Sequence, residues 1–166
     1  MKQIRNIGIR GFFLVIIMLI TGCGFHLRGA IELPALYDRV HLVDKGYSDI
    51  GKPLSKALER VGSKMVSSPA AASSVITLLS RGTQRRALNV GAKQIREYEL
   101  QLNVSFVVQD YQGIQLAEQQ NVSVIRTFRN DPDDVLGKEN EEQIIRGEMN
   151  RVAVMQILRR LKAIAQ

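Results

Sequence analysis

Cysteine occurs once in these 166 residues and histidine twice, so a disulfide framework and a His/Cys metal cluster are both out of reach. His26 and His41 show no metal-ligand spacing and have no second partner for nucleophilic catalysis. Phosphate-cradling glycine motifs, a nucleophile elbow and a CxxC pair are missing as well. The acidic pairs Asp133-Asp134 and Glu141-Glu142 fall in a turn and at a helix start, where capping and solubility account for them. These absences point to a chain that is not an enzyme. The one sustained apolar run, Phe12 to Ile20, is too short for a bilayer span, which takes about 20 residues.

That run is nevertheless informative. It follows a basic start (Lys2, Arg5, Arg10) and leads into Leu19-Ile20-Thr21-Gly22-Cys23. A charged start, a short apolar stretch and small residues at the cut are the parts of a secretory signal peptide. The cysteine directly after Gly22 looks like the lipobox of bacterial lipoproteins, where the thiol is lipidated, the chain is cut before it and the new N-terminus is acylated. An ordinary signal peptide with a chance cysteine is the alternative. The lone cysteine stands on the one position a lipobox requires, which favours the lipoprotein reading.

The expected organisation is a signal peptide over 1–22, a lipidated N-terminus and tether over 23–38, and a domain over 39–166. Each buried methylene contributes about 0.8 kcal/mol, and two or more chains make attachment durable. S-diacylglycerol and an N-acyl group on Cys23 are the only non-protein groups expected, with no metal and no other cofactor. Gly24 stands where an Asp would signal inner-membrane retention, so the expected site is the periplasmic side of the outer membrane. Removing residues 1–22 leaves 20 basic and 16 acidic residues, a net charge of +4. That mild excess, in an exported protein, makes nucleic acid a poor partner and membrane lipids good ones.

The pattern along the chain predicts an α/β (α+β) two-layer sandwich. Arg39 to Asp44 alternates as a strand. Ile50, Leu54, Ala57, Leu58 and Val61 have helical spacing, with Ser48 or Asp49 as N-cap, Pro53 fitting only the first turn, and Gly62 at the end. Val75 to Arg81 reads as a second strand, and Gly82 to Lys93 as a long hairpin tip. The clearest alternation runs from Arg96 to Tyr111, with Tyr98, Leu100, Leu102, Val104, Phe106 and Val108 on one face. Asp110 to Gly113 is a turn, and Ile114 to Phe128 reads as the return strand. A last helix is expected from about Lys138 to Ala165. The result is a mostly antiparallel sheet of roughly four strands with both helices on one face, the direction of the first strand left open. Apolar residues surround much of the last helix, from Ile145, Met149 and Val152 to Val154, Leu158 and Leu161. This predicts that one side packs on the sheet and the other meets a partner, unless the helix bends or leaves apolar surface wet.

Two short segments carry a family likeness. Cys23-Gly24-Phe25-His26-Leu27-Arg28 and Lys138-Glu139-Asn140-Glu141 resemble the mature N-terminus and the last helix of the LptE lipopolysaccharide-assembly lipoproteins. The resemblance implies a non-enzymatic plug for the LptD β-barrel, forming a heterodimer that helps carry lipopolysaccharide to the outer leaflet. It also gives Lys138 a lipopolysaccharide-contacting role, because a lysine there opposes the helix dipole.

Arg81, Arg85, Arg86, Lys93 and Arg96 form the strongest charge run of the mature chain, without an acidic residue among them. Such a run is commonly a solvated face. In an envelope protein it also suits phosphates and acid sugars, since arginine pairs with phosphate bidentately. The candidate lipopolysaccharide site is therefore Arg85, Arg86, Lys93 and Lys138. The competing functional classes are a structural lipoprotein bridging the outer membrane to peptidoglycan or another protein, and a small periplasmic hydrolase.

Overall fold

The computed structural model describes residues 31–90, 96–130 and 135–164. A 3-10 turn, Ala35–Tyr37, leads into strand β1, Arg39–Val43. Tyr37 is fully buried, and Ile31, Leu33 and Leu36 pack against the same core. Residues 31–38, expected as tether, thus belong to the domain. Their apolar spacing follows neither period, which hides them from a pattern reading.

Lys45 and Gly46 turn the chain with positive φ (49° and 89°), and the Gly46 amide donates to Asp44 Oδ1. Helix α1, Ser48–Arg60, follows. Its N-cap is Tyr47, without a side-chain cap, in place of the expected Ser48 or Asp49. The Ile50 and Gly51 amides both donate to the Tyr47 carbonyl, so the helix begins one residue early. Asp49, displaced into the first turn, pairs instead with Arg81 at 2.7 Å. The same shift places Pro53 in the second turn, where it leaves the Asp49 carbonyl without its helical donor. Ile50, Leu54, Ala57 and Leu58 are buried. Gly62, at φ 99°, ends the helix: its amide donates to Glu59 O and that of Ser63 to Leu58 O, the paired bonds of a Schellman motif.

Helix α1 lies hard against the β1 exit at Gly51. A Cβ there would sit 2.6 Å from Asp44 Cβ and 2.8 Å from Asp44 Oδ2. Gly51→Ala is expected to destabilise by roughly 1 kcal/mol, because overpacking at 1–3 kcal/mol exceeds the gain of about 1 kcal/mol in helix propensity. A urea midpoint that rises in this variant contradicts the close approach.

Four more elements complete the sheet and a fifth covers it: β2 (Lys64–Met65), β3 (Ser74–Val90), β4 (Arg96–Gln109), β5 (Gln120–Asn130) and helix α2 (Val135–Ile164). The order is β2-β1-β3-β4-β5. β1 runs parallel to both β2 and β3, while β4 runs antiparallel to its two neighbours, β3 and β5. The sheet thus has five strands, one more than expected, because the two-residue β2 is too short to show a period. His41 Nδ1–H donates to Val66 O at 2.9 Å, tying β1 to the segment after β2. That accounts for this histidine as a strand residue with a hydrogen bond.

Three expectations change. Gly82 to Val90 is not a hairpin tip but the second half of a 17-residue strand, bulged near Leu79. The return strand begins at Gln120. Between Asp110 and Gln119 only Gln109 and Gln115 bridge, and Ile114 and Leu116 are exposed. Helix α2 starts at Val135, so Glu139, Glu141 and Glu142 lie beyond its first turn, where the dipole is felt most.

Both helices cover one sheet face. Ile50, Leu54 and Leu58 of α1, and Met149, Ala153, Ile157 and Leu161 of α2, share one core with Ile76, Leu78, Leu102, Phe106 and Val124. Apolar residues surround α2 because sheet and α1 take different sides of it. Val154 and Leu158 are buried. Only Ile144 and Met155 remain exposed among its described large apolar residues. They lie eleven positions, about three turns, apart on one side with polar residues between, so the described part of this helix has no contiguous apolar side left for a partner.

Candidate functional site

Calling the end where β1 and β3 begin the lower end, β3 carries the charge run upward. The shift between Leu78 and Ser80 resets its alternation, so Arg81, Thr83 and Arg85 oppose Val104, Leu102 and Leu100 on the helix-covered face. Gly82, Gln84 and Arg86 oppose Asn103, Gln101 and Glu99 on the open face. Arg85 and Arg86, neighbours in sequence, therefore point to opposite sides of the sheet.

On the covered side the Arg85 guanidinium lies 3.9 Å from the centre of the Tyr98 ring and 5.8 Å from that of Phe128. The two rings stack with centroids 5.7 Å apart. A cation over aromatic faces is held by their quadrupoles, which fixes the guanidinium plane. Arg85 Nη1 also donates to Glu142 Oε2 of α2 at 3.3 Å. The other oxygen of Glu142 accepts from Arg146 Nε and Nη2 at 3.0 and 2.6 Å. One carboxylate thus serves two guanidinium groups, and the trio keeps one net positive charge. Arg126 joins this side: it opposes Leu100, which opposes Arg85, and its side chain is exposed.

On the open side Arg86 donates to Glu99 Oε1 at 3.1 Å, which balances its charge. Around it lies a polar, largely uncharged surface. Gln101 Nε2 donates to Asn103 Oδ1 and Ser123 Oγ, and Ser80 hydrogen-bonds Ser105 across the ladder. A shallow hollow of about 280 Å³ is bounded by Gln84, Arg86, Glu99, Gln101 and Ile125.

Lys138 falls in the opening turn of α2, its side chain outside the described residues. Cys23 and Lys93 lie outside the described residues altogether. Of the four expected site residues, then, the described side chains are those of Arg85 and Arg86, and the sheet separates them. Reading the sequence missed Arg126 and Arg146. Arg126 was detectable, since it holds the same phase as Val124 and Phe128 in β5. Arg146 gave no strand signal, and its pairing with Glu142 is an i, i+4 helix contact.

The family model for LptE, lipopolysaccharide-assembly, matches residues 37–161. The LPS-assembly lipoprotein LptE of Pectobacterium atrosepticum is 29% identical over 158 residues, covering 89% of this chain and 81% of its own. That of Photorhabdus laumondii is 24% identical over 149 residues, covering 87% and 80%. Among solved structures, lipoprotein B from Nitrosomonas europaea superposes with a TM-score of 0.73 at 28% identity, over 86% of this chain and 92% of that one. A minor lipoprotein from Acinetobacter baumannii shares the fold, with a TM-score of 0.66 at 23% identity over 76% of this chain and 92% of its own. With a family match that spans the sheet, both helices and the arginine-bearing strand, the chain belongs to the LptE lipopolysaccharide-assembly family.

Proposed function

We propose that this protein is a non-enzymatic lipoprotein, anchored through lipid on Cys23 at the periplasmic side of the outer membrane. There it docks into an LptD β-barrel and contacts lipopolysaccharide. The Arg85–Glu142–Arg146 trio is the observation that carries the lipid contact. Its surplus charge sits on a guanidinium already oriented by Tyr98 and Phe128, ready to exchange Glu142 for a phosphate with little ordering left to do. Arg86, on the open face, and Lys93 and Lys138, by their place in the basic run and the family motif, complete the proposed set. The polar, largely uncharged open face of the sheet, its Arg86 balanced by Glu99, supports the barrel docking, because barrel interiors are polar and hydrated.

The test separates the two faces. Arg85→Gln is expected to weaken lipopolysaccharide binding by about 10- to 100-fold, the loss of one charge-assisted contact worth about 1.5–3 kcal/mol. Arg86→Gln, which removes a cation already balanced by Glu99, is expected to cost less. Neutralising Arg85, Arg86, Lys93 and Lys138 together should abolish binding while the urea midpoint moves little. Undiminished binding in that quadruple variant rejects the site. Co-purification from outer membranes in mild detergent addresses the barrel: a stoichiometric β-barrel companion is expected, and its absence favours a bridging lipoprotein instead.

A further inference from the structure

Among the described residues, three of the seven exposed large apolar side chains, Tyr111, Ile114 and Leu116, stand on the single loop between β4 and β5, at 57%, 60% and 38% exposure. A concentration of this kind marks a contact surface, whereas scattered exposed apolar residues do not. The loop is firmly built. Asp110 Oδ1 accepts from the Gln112 and Ile114 amides at 2.8 Å each, and Gly113 turns with φ 85°. The Asp110 amide donates to Ile114 O and the Leu116 amide to Val108 O, each at 2.9 Å. Gln109 Nε2 donates to Gly113 O. The apolar side chains are thus held outward by a formed backbone.

The ladder fixes where this loop lies. Val40 pairs with Ser74 and Val75 with Gln109, so β1 begins and β4 ends at the lower end. The chain comes into β1 through Ile31 to Asp38 at that same end. Only seven residues, 24–30, separate Ile31 from Cys23, and the eight steps between them span at most about 28 Å when extended. Exposed Arg39, Lys64 and Lys162 sit at this end, and Arg160 bonds Gln120 there. Exposed Asp38 and Glu118 offset part of that charge, and tyrosine with aliphatic neighbours is itself the composition of an interfacial membrane contact.

We propose that the β4–β5 loop is a lipid-contacting foot: Tyr111, Ile114 and Leu116 enter the headgroup region of the phospholipid leaflet that holds the anchor. The proposal rests on the Cys23 anchor reading. The foot fixes the orientation of the domain, which attachment at one point does not do. With the lower end on the leaflet, the arginine end points away from it.

The sequence has no tryptophan, so Tyr111→Trp places a single reporter on the loop and Leu88→Trp, at an exposed upper position, a control. Each full-length lipoprotein is reconstituted into phosphatidylethanolamine–phosphatidylglycerol vesicles that contain dibrominated acyl chains, and flotation is scored alongside quenching. The reporter at 111 is expected to be quenched at least about threefold more strongly than the one at 88, and Ile114→Asp in the same chain to reverse this. A chain that floats with the vesicles but leaves both reporters equally unquenched overturns the foot alone. A chain that does not float overturns the foot and the anchor together. A blue shift at 111 seen only in native outer membranes, and not in protein-free vesicles, assigns the loop to a protein surface and likewise overturns the proposal.

Discussion

Phe106→Ala is expected to lower the unfolding free energy by about 3–5 kcal/mol, a large share of the 5–15 kcal/mol available to a domain of this kind. Phe106 is fully buried, opposite Leu78 on β3 and Gln120 on β5. Its ring sits on the middle strand of the antiparallel half, with hydrogen-bonded ladders on both sides. Those ladders resist collapse into the space left behind, so the variant keeps most of its cavity and loses both transfer energy and packing. Phe128→Ala is a useful contrast. That ring is 9% exposed near the end of β5, beside the Arg85 guanidinium, where solvent can fill the gap. Urea unfolding at constant slope checks the pair. A loss below about 1 kcal/mol at Phe106 contradicts its central place in the core.

That central place was legible in the sequence because β4 has a core on one side and open sheet on the other. Leu100, Leu102, Val104, Phe106 and Val108 are all buried, as their alternation predicts. Gly62 was legible for an equally local reason, since a left-handed residue closes the helix that Ile50, Leu54 and Leu58 define.

β3 was only half legible. Below Leu79 it buries Ile76 and Leu78; above it the same face turns to Arg81, Thr83 and Arg85. Those side chains sit under helices because Asp49 and Glu142 meet two of them, and such partners lie far along the chain. A one-residue bulge decides which of them takes the covered face, and because the segment is strand rather than loop the sheet sets Arg85 and Arg86 back to back. The opposite error occurs at Ile114 and Leu116. Their phase mimics a strand, but backbone bonds to Asp110 and Val108 fold them into a loop and leave them exposed. Cys23 and Lys138 were read from motif and family likeness and Lys93 from the charge run, and Cys23, Lys93 and the Lys138 side chain lie outside the described residues.

Tyr37→Phe is expected to flatten the alkaline limb of the stability curve and to stabilise the domain at neutral pH. The Tyr37 hydroxyl is buried with no hydrogen-bond partner among the described residues, and burial pushes its pKa up from 10.0 to about 12. Desolvation disfavours the phenolate in the folded state only. Below pH 10 the group is neutral in both states, and its contribution is fully present. Between pH 10 and about 12 the unfolded chain releases this proton while the folded chain retains it, so stability falls as pH rises. Two pH units at about 1.4 kcal/mol each make the loss roughly 3 kcal/mol relative to Tyr37→Phe. Because the two chains differ at one oxygen, subtracting their urea midpoints across this window cancels the titration of every other group. At neutral pH the phenylalanine chain is expected to gain about 1 kcal/mol, the lower end of what an unpaired buried hydroxyl costs. Parallel curves from pH 8 to 12 mean that the hydroxyl reaches water or a partner, and the segment before β1 is then less tightly packed than Tyr37 indicates.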